Sequence, residues 1–321
     1  MILRFFNIYI SMNKKWFRFV LFILIVSSSI IAASQVFREE KQPEPQSVQP
    51  RVTLYLSASD KKVAMTLEEY IVGTVAAEMP ASFAMEALKA QAVCARTYAV
   101  NRLVGGKKYR RQADLSDDIT CCQAFVNKDD FKKRHPSTPE YYLQRIKQAV
   151  KATEGEVMLY QGQPLDAMYC STCGGRTEDA SATGGQDVPY LKGVACGYCQ
   201  ASPRYTTSQS FSESYLKRIW GLSGKGLQIQ VLSTTNSGRL RKVRLNDQVV
   251  SGEQLRSTLG LPSTWCSFTR QGDSLVISSR GYGHGIGLCQ FGANGMAKAG
   301  YNYRQILHHY YHSFELHRLS Y

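Results

Sequence analysis

Met79-Pro80 interrupts the stretch TLEEYIVGTVAAEMPASFAMEALKAQAVCARTYAVN, residues 66–101, and divides it into two helices joined at a corner. Thr66, with Glu69 three residues on, has the form of a capping box and opens the first helix at Leu67. Pro80 cannot continue that helix and disfavours helical geometry at the residue before it. Ser82 is expected to cap a second, Ala-rich helix that runs to about Leu103. Glu78 therefore falls in the last turn of the first helix, where the negative end of the helix dipole disfavours its charge and raises its pKa. A carboxyl group kept protonated near neutral pH is what a general acid requires. The plainer alternative is a solvated side chain at a helix end. Lys89 and Arg96, two helical turns apart, share one face of the second helix. Beside Glu78 that face would hold an anionic substrate, although solvation is the commoner fate of such charges.

Charge narrows the class of partner. The 321-residue chain has 39 Lys+Arg against 25 Asp+Glu, a formal net charge of +14. Such an excess suits nucleic acid, a membrane surface or an acidic cell-wall polymer. No basic run interleaved with aromatics, helix-turn-helix signature or RNA-recognition motif is present, so nucleic acid is not expected. Residues 16–37, WFRFVLFILIVSSSIIAASQVF, are mostly apolar and follow Lys14-Lys15. The run approaches the roughly 20 residues needed to cross a bilayer, and the preceding lysines place the N-terminus in the cytoplasm. It also exceeds the roughly 7–15 residues of a signal-peptide core, which favours an uncleaved single-pass anchor. Ala32-Ala33-Ser34 keeps a cleaved signal peptide as the rival. The expected organisation is a cytoplasmic tail and N-terminal transmembrane helix (1–37), a Pro- and Gln-rich linker (38–51) and one extracytoplasmic domain (52–321).

Within that domain, residues 52–57 and 62–65 read as a hairpin turning at Ser59-Asp60, and 110–130 as a long polar loop. Residues 139–153 have helical spacing, and 156–160 with 165–170 form a hairpin. A strand at 205–211 precedes a short helix capped by Ser212, and residues 227–245 form a hairpin turning at Asn236-Ser237-Gly238. Ser251 with Gln254 opens another helix, 274–279 is a strand, 287–299 is a small-residue helix, and Asn302 with Gln305 caps the last one. This is an α+β pattern of mixed helices and antiparallel hairpins, without βαβ alternation.

Two further constellations carry chemistry. In Gly281-Tyr282-Gly283-His284-Gly285-Ile286-Gly287, four alternating glycines permit unusual backbone angles and close ligand approach. His284 and, three residues past the last of these glycines, Gln290 are candidate substrate-binding residues. No Ser or Cys triad partner is evident, and the ending of a phosphate loop is missing. The second constellation is cysteine. Cys170-Ser171-Thr172-Cys173 and Cys196-Gly197-Tyr198-Cys199 are paired CxxC motifs with the character of a structural zinc site. Two disulfides are the rival in an oxidising compartment. Cys170, Cys173, Cys196 and Cys199 are the expected ligands and Cys122 a weaker one, while Cys94, Cys266 and Cys289 read as buried thiols.

The segments EEYIVGTVAAEMP, EALKAQAVCARTYAV, CSTCGGRTE, GGQDVPYLKGV and RGYGHGIGLCQFGANGMAKAGYNYRQILHHYY together resemble the SpoIID/LytB family, in its order, across nearly all of residues 67–311. The resemblance implies a lytic transglycosylase that cuts the bond between N-acetylmuramic acid and N-acetylglucosamine in peptidoglycan without water. It places the family's catalytic acid/base on Glu78 and functionally important residues on Lys89, Arg96, Tyr190 and Lys192. It also implies sporulation engulfment as the setting, and denuded glycan strands as substrate. The implied partners are an amidase of the stage II sporulation protein P type and a membrane scaffold of the stage II sporulation protein M type. Some relatives hold zinc near the segment of Cys121-Cys122 with a further Cys where Ser116 stands here, so this chain departs from that pattern.

One carboxylate suffices for such chemistry. An ordinary glycosidase needs two, whereas here Glu78 would protonate the leaving oxygen and then take the proton of the attacking C6 hydroxyl. Lys89, Arg96 and Lys192 would bind the exposed lactyl carboxylate. The alternative from another class is a non-catalytic wall-binding scaffold or amidase activator.

Overall fold

A computed structural model describes residues 49–321. The expected anchor and most of the expected linker lie outside the described residues. Among those described, no helix is long and apolar enough to cross a membrane.

The chain opens with the antiparallel hairpin β1 (Arg51–Leu56) and β2 (Lys61–Thr66). Thr66 then caps α1 (Leu67–Glu78) through the reciprocal box with Glu69. The corner at Met79-Pro80 leads to α2 (Met85–Val104). Ser82 does not cap that helix. The cap position is Ala84, whose N–H is met by Asn294 Oδ1 at 2.9 Å from the far end of the chain. A distant amide thus supplies what the local sequence lacks.

The long polar loop contains the two-residue strand β3 (Leu115–Ser116), which pairs parallel to β1. α3 (Lys128–Arg134) and α4 (Pro139–Ala152) follow, then β4 (Glu156–Tyr160) with β5 (Gln163–Pro164). The hairpin expected at 156–170 ends there. β6 (Tyr169–Cys170) pairs instead, in parallel, with β13 (Leu288–Cys289) from the glycine-rich segment. A second, smaller core is built by β7 (Thr206–Ser212), α5 (Glu213–Trp220), β8 (Ile229–Thr234), β9 (Leu240–Leu245), β10 (Gln248–Ser251), α6 (Gly252–Leu259), β11 (Cys266–Gln271) and β12 (Ser274–Arg280). α7 (Gln290–Lys298), α8 (Tyr303–Tyr310) and β14 (Glu315–Arg318) return to the first core, where β14 closes on β4. The helix expected at 287–299 starts three residues later, because Leu288 and Cys289 are spent on the strand.

α2 is the axis of the main core. Ala87, Leu88, Ala90, Ala92, Val93 and Cys94 are wholly buried, so the helix is surrounded on all sides. Its small side chains let α1, α4, α7, α8 and β4 approach closely. The α+β class expected from the pattern therefore holds, with two short parallel pairings added to the antiparallel hairpins.

Candidate active site

The corner after α1 opens onto a cleft of about 960 Å³, within the range of ligand-binding clefts. Glu78 lines it, half-buried. Burial raises the Glu78 pKa above the ordinary carboxylate value, and two donors pull it part of the way back. These are the Ala124 N–H, 2.8 Å from Oε1, and the Tyr169 hydroxyl. The raised pKa follows the expectation, and its largest cause is lost solvation. The Tyr169 hydroxyl also donates to Gln123 Oε1 at 2.9 Å, so its single proton stands between two acceptors.

Gly73 explains how Ala124 reaches Glu78. A Cβ at this position would lie 2.2 Å from the Phe125 ring, so only glycine lets the 121–126 loop lie flat on α1. Val126 N–H then bonds Gly73 O at 3.2 Å and holds the loop in register. Gly73→Ala is expected to cost about 1–3 kcal/mol through overpacking. It should also raise the Glu78 pKa further in the folded fraction, because the Ala124 N–H is drawn off the carboxylate. Denaturant unfolding and NMR titration of the carboxyl group measure the two effects separately.

The wall that carries Tyr169 is built from residues remote in sequence. Met168–Ser171 and Gln290-Phe291 meet through the β6–β13 pair and the Phe291 N–H to Ser171 O bond of 3.1 Å. Gly287 permits that meeting, since at φ +68° an added Cβ would stand 1.9 Å from Met168 O. His284 lines the cleft, but its ring is engaged. Nδ1 accepts the Ile286 N–H at 3.0 Å, and the Tyr169 backbone is its other partner. Burial depresses its pKa to about 4, so it is neutral at pH 7 and fixes the wall that carries Tyr169. Gln290 is buried, and its Nε2 donates to Gln91 Oε1 at 3.3 Å.

The basic residues expected to face Glu78 lie elsewhere. Arg96 is fully buried and forms a two-point pair with Glu68, 2.7 Å from each carboxylate oxygen, while its remaining nitrogen donates to Glu156 O at 3.1 Å. The helical turn counts correctly, but that face of α2 looks into the core. Lys89 pairs with Glu86 at 2.6 Å and sits over the Tyr303 ring, outside the cleft. Lys192 pairs with Asp187, both largely exposed, and Tyr190 packs at a tilt against Tyr160, ring centroids 5.4 Å apart; neither lines the cleft. The cations that do line it are Arg102 and Arg134. Arg102 lies 4.4 Å over the Tyr98 ring and pairs with Asp166 at 3.0 Å. Arg134, exposed at the end of α3, has no ion-pair partner among the described residues. Asp166 is a second carboxylate in the same cleft, which the sequence reading missed. Its signal would have been proximity to Arg102, and 64 residues separate the two.

The cysteines also group differently from their spacing. The sulfurs of Cys173, Cys196, Cys199 and Cys289, all buried, lie within 4.8 Å of one another. Cys170 stands outside this group and lines the cleft, as does Cys122. Cys289, read from its apolar neighbours as a simple core thiol, takes the fourth place because β13 runs alongside β6.

Comparison with known proteins adds a family to this geometry. The family model described as stage II sporulation protein matches residues 57–160. Over 268 residues the chain is 34% identical to stage II sporulation protein D of Bacillus subtilis (strain 168), spanning 83% of this chain and 78% of that protein. The chain belongs to the stage II sporulation protein D family. The protein of that name from Bacillus amyloliquefaciens is 34% identical over 288 residues, spanning 88% and 84% of the two chains. The amidase enhancer of Bacillus subtilis (strain 168) is 24% identical over 295 residues, 74% of this chain and 39% of the other. The segment matched by the family model holds Glu78, Arg102, Arg134 and the loop carrying Ala124. The wall with Tyr169, His284 and Gln290, and the four grouped cysteines, lie beyond it.

Proposed function

We propose that this chain is a peptidoglycan lytic transglycosylase acting on amidase-denuded glycan strands during sporulation engulfment, anchored in the membrane with its domain outside the cytoplasm. The observation that carries the reading is Glu78: a carboxyl group in an open cleft whose burial favours the protonated form. Protonated, it gives its proton to the glycosidic oxygen as N-acetylglucosamine leaves. The C6 hydroxyl of the muramic acid attacks the anomeric carbon, and its proton returns to Glu78, leaving a 1,6-anhydro ring and an unchanged enzyme. Between these transfers the charge on Glu78 rests on the Ala124 N–H and the Tyr169 hydroxyl. Arg102 and Arg134, in place of Lys89, Arg96 and Lys192, are the cations available to the lactyl carboxylates of strands without stem peptides. An amidase of the stage II sporulation protein P type would supply such strands, and a scaffold of the M type would hold the two enzymes together.

Two observations favour other readings. Asp166 provides the second carboxylate that a hydrolase needs. The amidase enhancer among the relatives fits a chain that binds wall and activates an amidase without cutting. Digestion of denuded glycan strands, read by mass spectrometry, separates all three. Anhydromuramic ends support the transglycosylase, reducing ends the hydrolase, and retained binding without products the activator. Asp166→Asn is expected to keep anhydro products and lose no more than about tenfold in rate. A base or nucleophile at that position would be worth about 10²–10⁴-fold.

A further inference from the structure

The geometry points to a structural zinc site formed by Cys173, Cys196, Cys199 and Cys289, which fixes the wall of the cleft that carries Tyr169. Four sulfurs around one zinc ion, each about 2.3 Å from it, stand about 3.8 Å apart. Here all four lie within 4.8 Å of one another, with Cys173 and Cys199 at 3.6 Å. A pair of disulfides would draw the sulfurs into two couples at about 2.05 Å, and nothing in that chemistry requires the couples to converge on one centre. Zinc does require it.

The surroundings suit thiolates. Cys289 Sγ accepts the N–H groups of Cys173 at 3.2 Å and Gly292 at 3.3 Å, and it caps the N-terminus of α7, where the helix dipole favours negative charge. The Tyr310 hydroxyl lies 3.2 Å from Cys196 Sγ. Gly292 leaves room for this approach, since a Cβ there would fall 2.7 Å from the Cys196 sulfur and 2.1 Å from the Tyr310 hydroxyl. The buried Arg239 guanidinium donates to Cys173 O at 2.7 Å and Arg176 O at 3.1 Å, bringing positive charge to a centre with a net charge of two minus. Four thiolates leave no open position for water, so the ion takes no part in bond cleavage.

Its work is positional. Cys173 and Cys289 flank Ser171 and Gln290-Phe291, which line the cleft that holds Glu78. Cys196 and Cys199 flank a separate turn at Gly197-Tyr198. One ion ties the three segments together at a single centre, where hydrogen bonds link them only in pairs: β6 with β13, and Cys196 N–H with Gly175 O at 2.9 Å. This inference does not depend on the reaction at Glu78, because its first readout is metal.

The test uses the full-length chain purified without chelator. Elemental analysis is expected to give one zinc per chain, and four thiols should be shielded from labelling until a chelator is added. Cobalt exchanged for the zinc should show the intense thiolate-to-metal absorption of a four-sulfur tetrahedral centre. Cys289→Ser should weaken metal retention and alter that spectrum, whereas Cys170→Ser should leave stoichiometry and spectrum unchanged. If Cys289→Ser does not fold, the wild-type cobalt spectrum and thiol protection still decide the matter. Metal-free protein lighter by four hydrogens, meaning two disulfides, overturns the proposal. So does an unchanged cobalt spectrum in Cys289→Ser.

Discussion

Glu78→Gln is expected to end glycan cleavage and, at neutral pH, to make the folded chain more stable than the wild type. The first effect follows from losing a proton donor in the cleft, a contribution of about 10²–10⁴-fold to rate. The amide keeps the shape of the side chain, and its carbonyl can still accept the Ala124 N–H, so the cleft is not dismantled. The second effect follows from proton linkage. Burial raises the folded-state pKa of Glu78 above its ordinary 4.5, so the folded chain holds this proton more tightly than the unfolded one. Below 4.5 both states are protonated and the wild type carries no penalty from this group. As pH rises through the raised folded value, the unfolded chain ionises first and wild-type stability falls relative to the Gln variant. The gap between the two proteins should therefore widen from about pH 4.5 upward and level off once folded Glu78 has ionised. Denaturant unfolding at a series of pH values measures it. A gap that does not change with pH, or cleavage at the wild-type rate in the variant, is incompatible with the assignment.

Arg96→Ala should destabilise the fold by about 3–5 kcal/mol, the range for breaking a buried ion pair from one side. Two short bonds to Glu68 disappear, and Glu68, itself buried, is left with its charge and the Tyr321 hydroxyl. The carbonyls of Glu156 and Val150 lose donors as well. Lysine cannot replace the planar fork, so Arg96→Lys should recover only part of the loss. Replacing the pair together, Glu68→Gln with Arg96→Met, should restore stability beyond the Arg96 single variant, because no uncompensated charge remains. A substrate-binding Arg96 would behave differently, raising KM with the unfolding free energy untouched. Unfolding curves beside KM and kcat for the folded fraction distinguish the two roles, and the buried geometry predicts the first.

These two residues show how far pattern alone reaches. Glu78 was legible because a proline fixes where α1 must stop, and the side chain one residue inside that stop sits at a predictable place. Arg96 was equally legible as a position, two turns from Lys89, yet its direction was not. Helical spacing says which residues share a face; it does not say what that face meets. α2 is enclosed on every side, so its charged positions had to find partners inside the core or at its rim. Arg102, six residues further along the same helix, reaches the cleft because α2 emerges from the core near its end.

The capping boxes at Thr66, Ser251 and Asn302, the first hairpin and the corner at Met79-Pro80 were determined by the sequence itself, since each depends on residues within a few positions of one another. Tertiary structure decided the cap of α2, the second carboxylate at Asp166 and the choice of Cys289 over Cys170. Each of these joins groups separated by scores of residues. The contacts that fix them exist only after the β6–β13 pairing and the packing around α2 have brought distant segments together. Local chemistry placed the acid at the break, and long-range packing built the cleft around it.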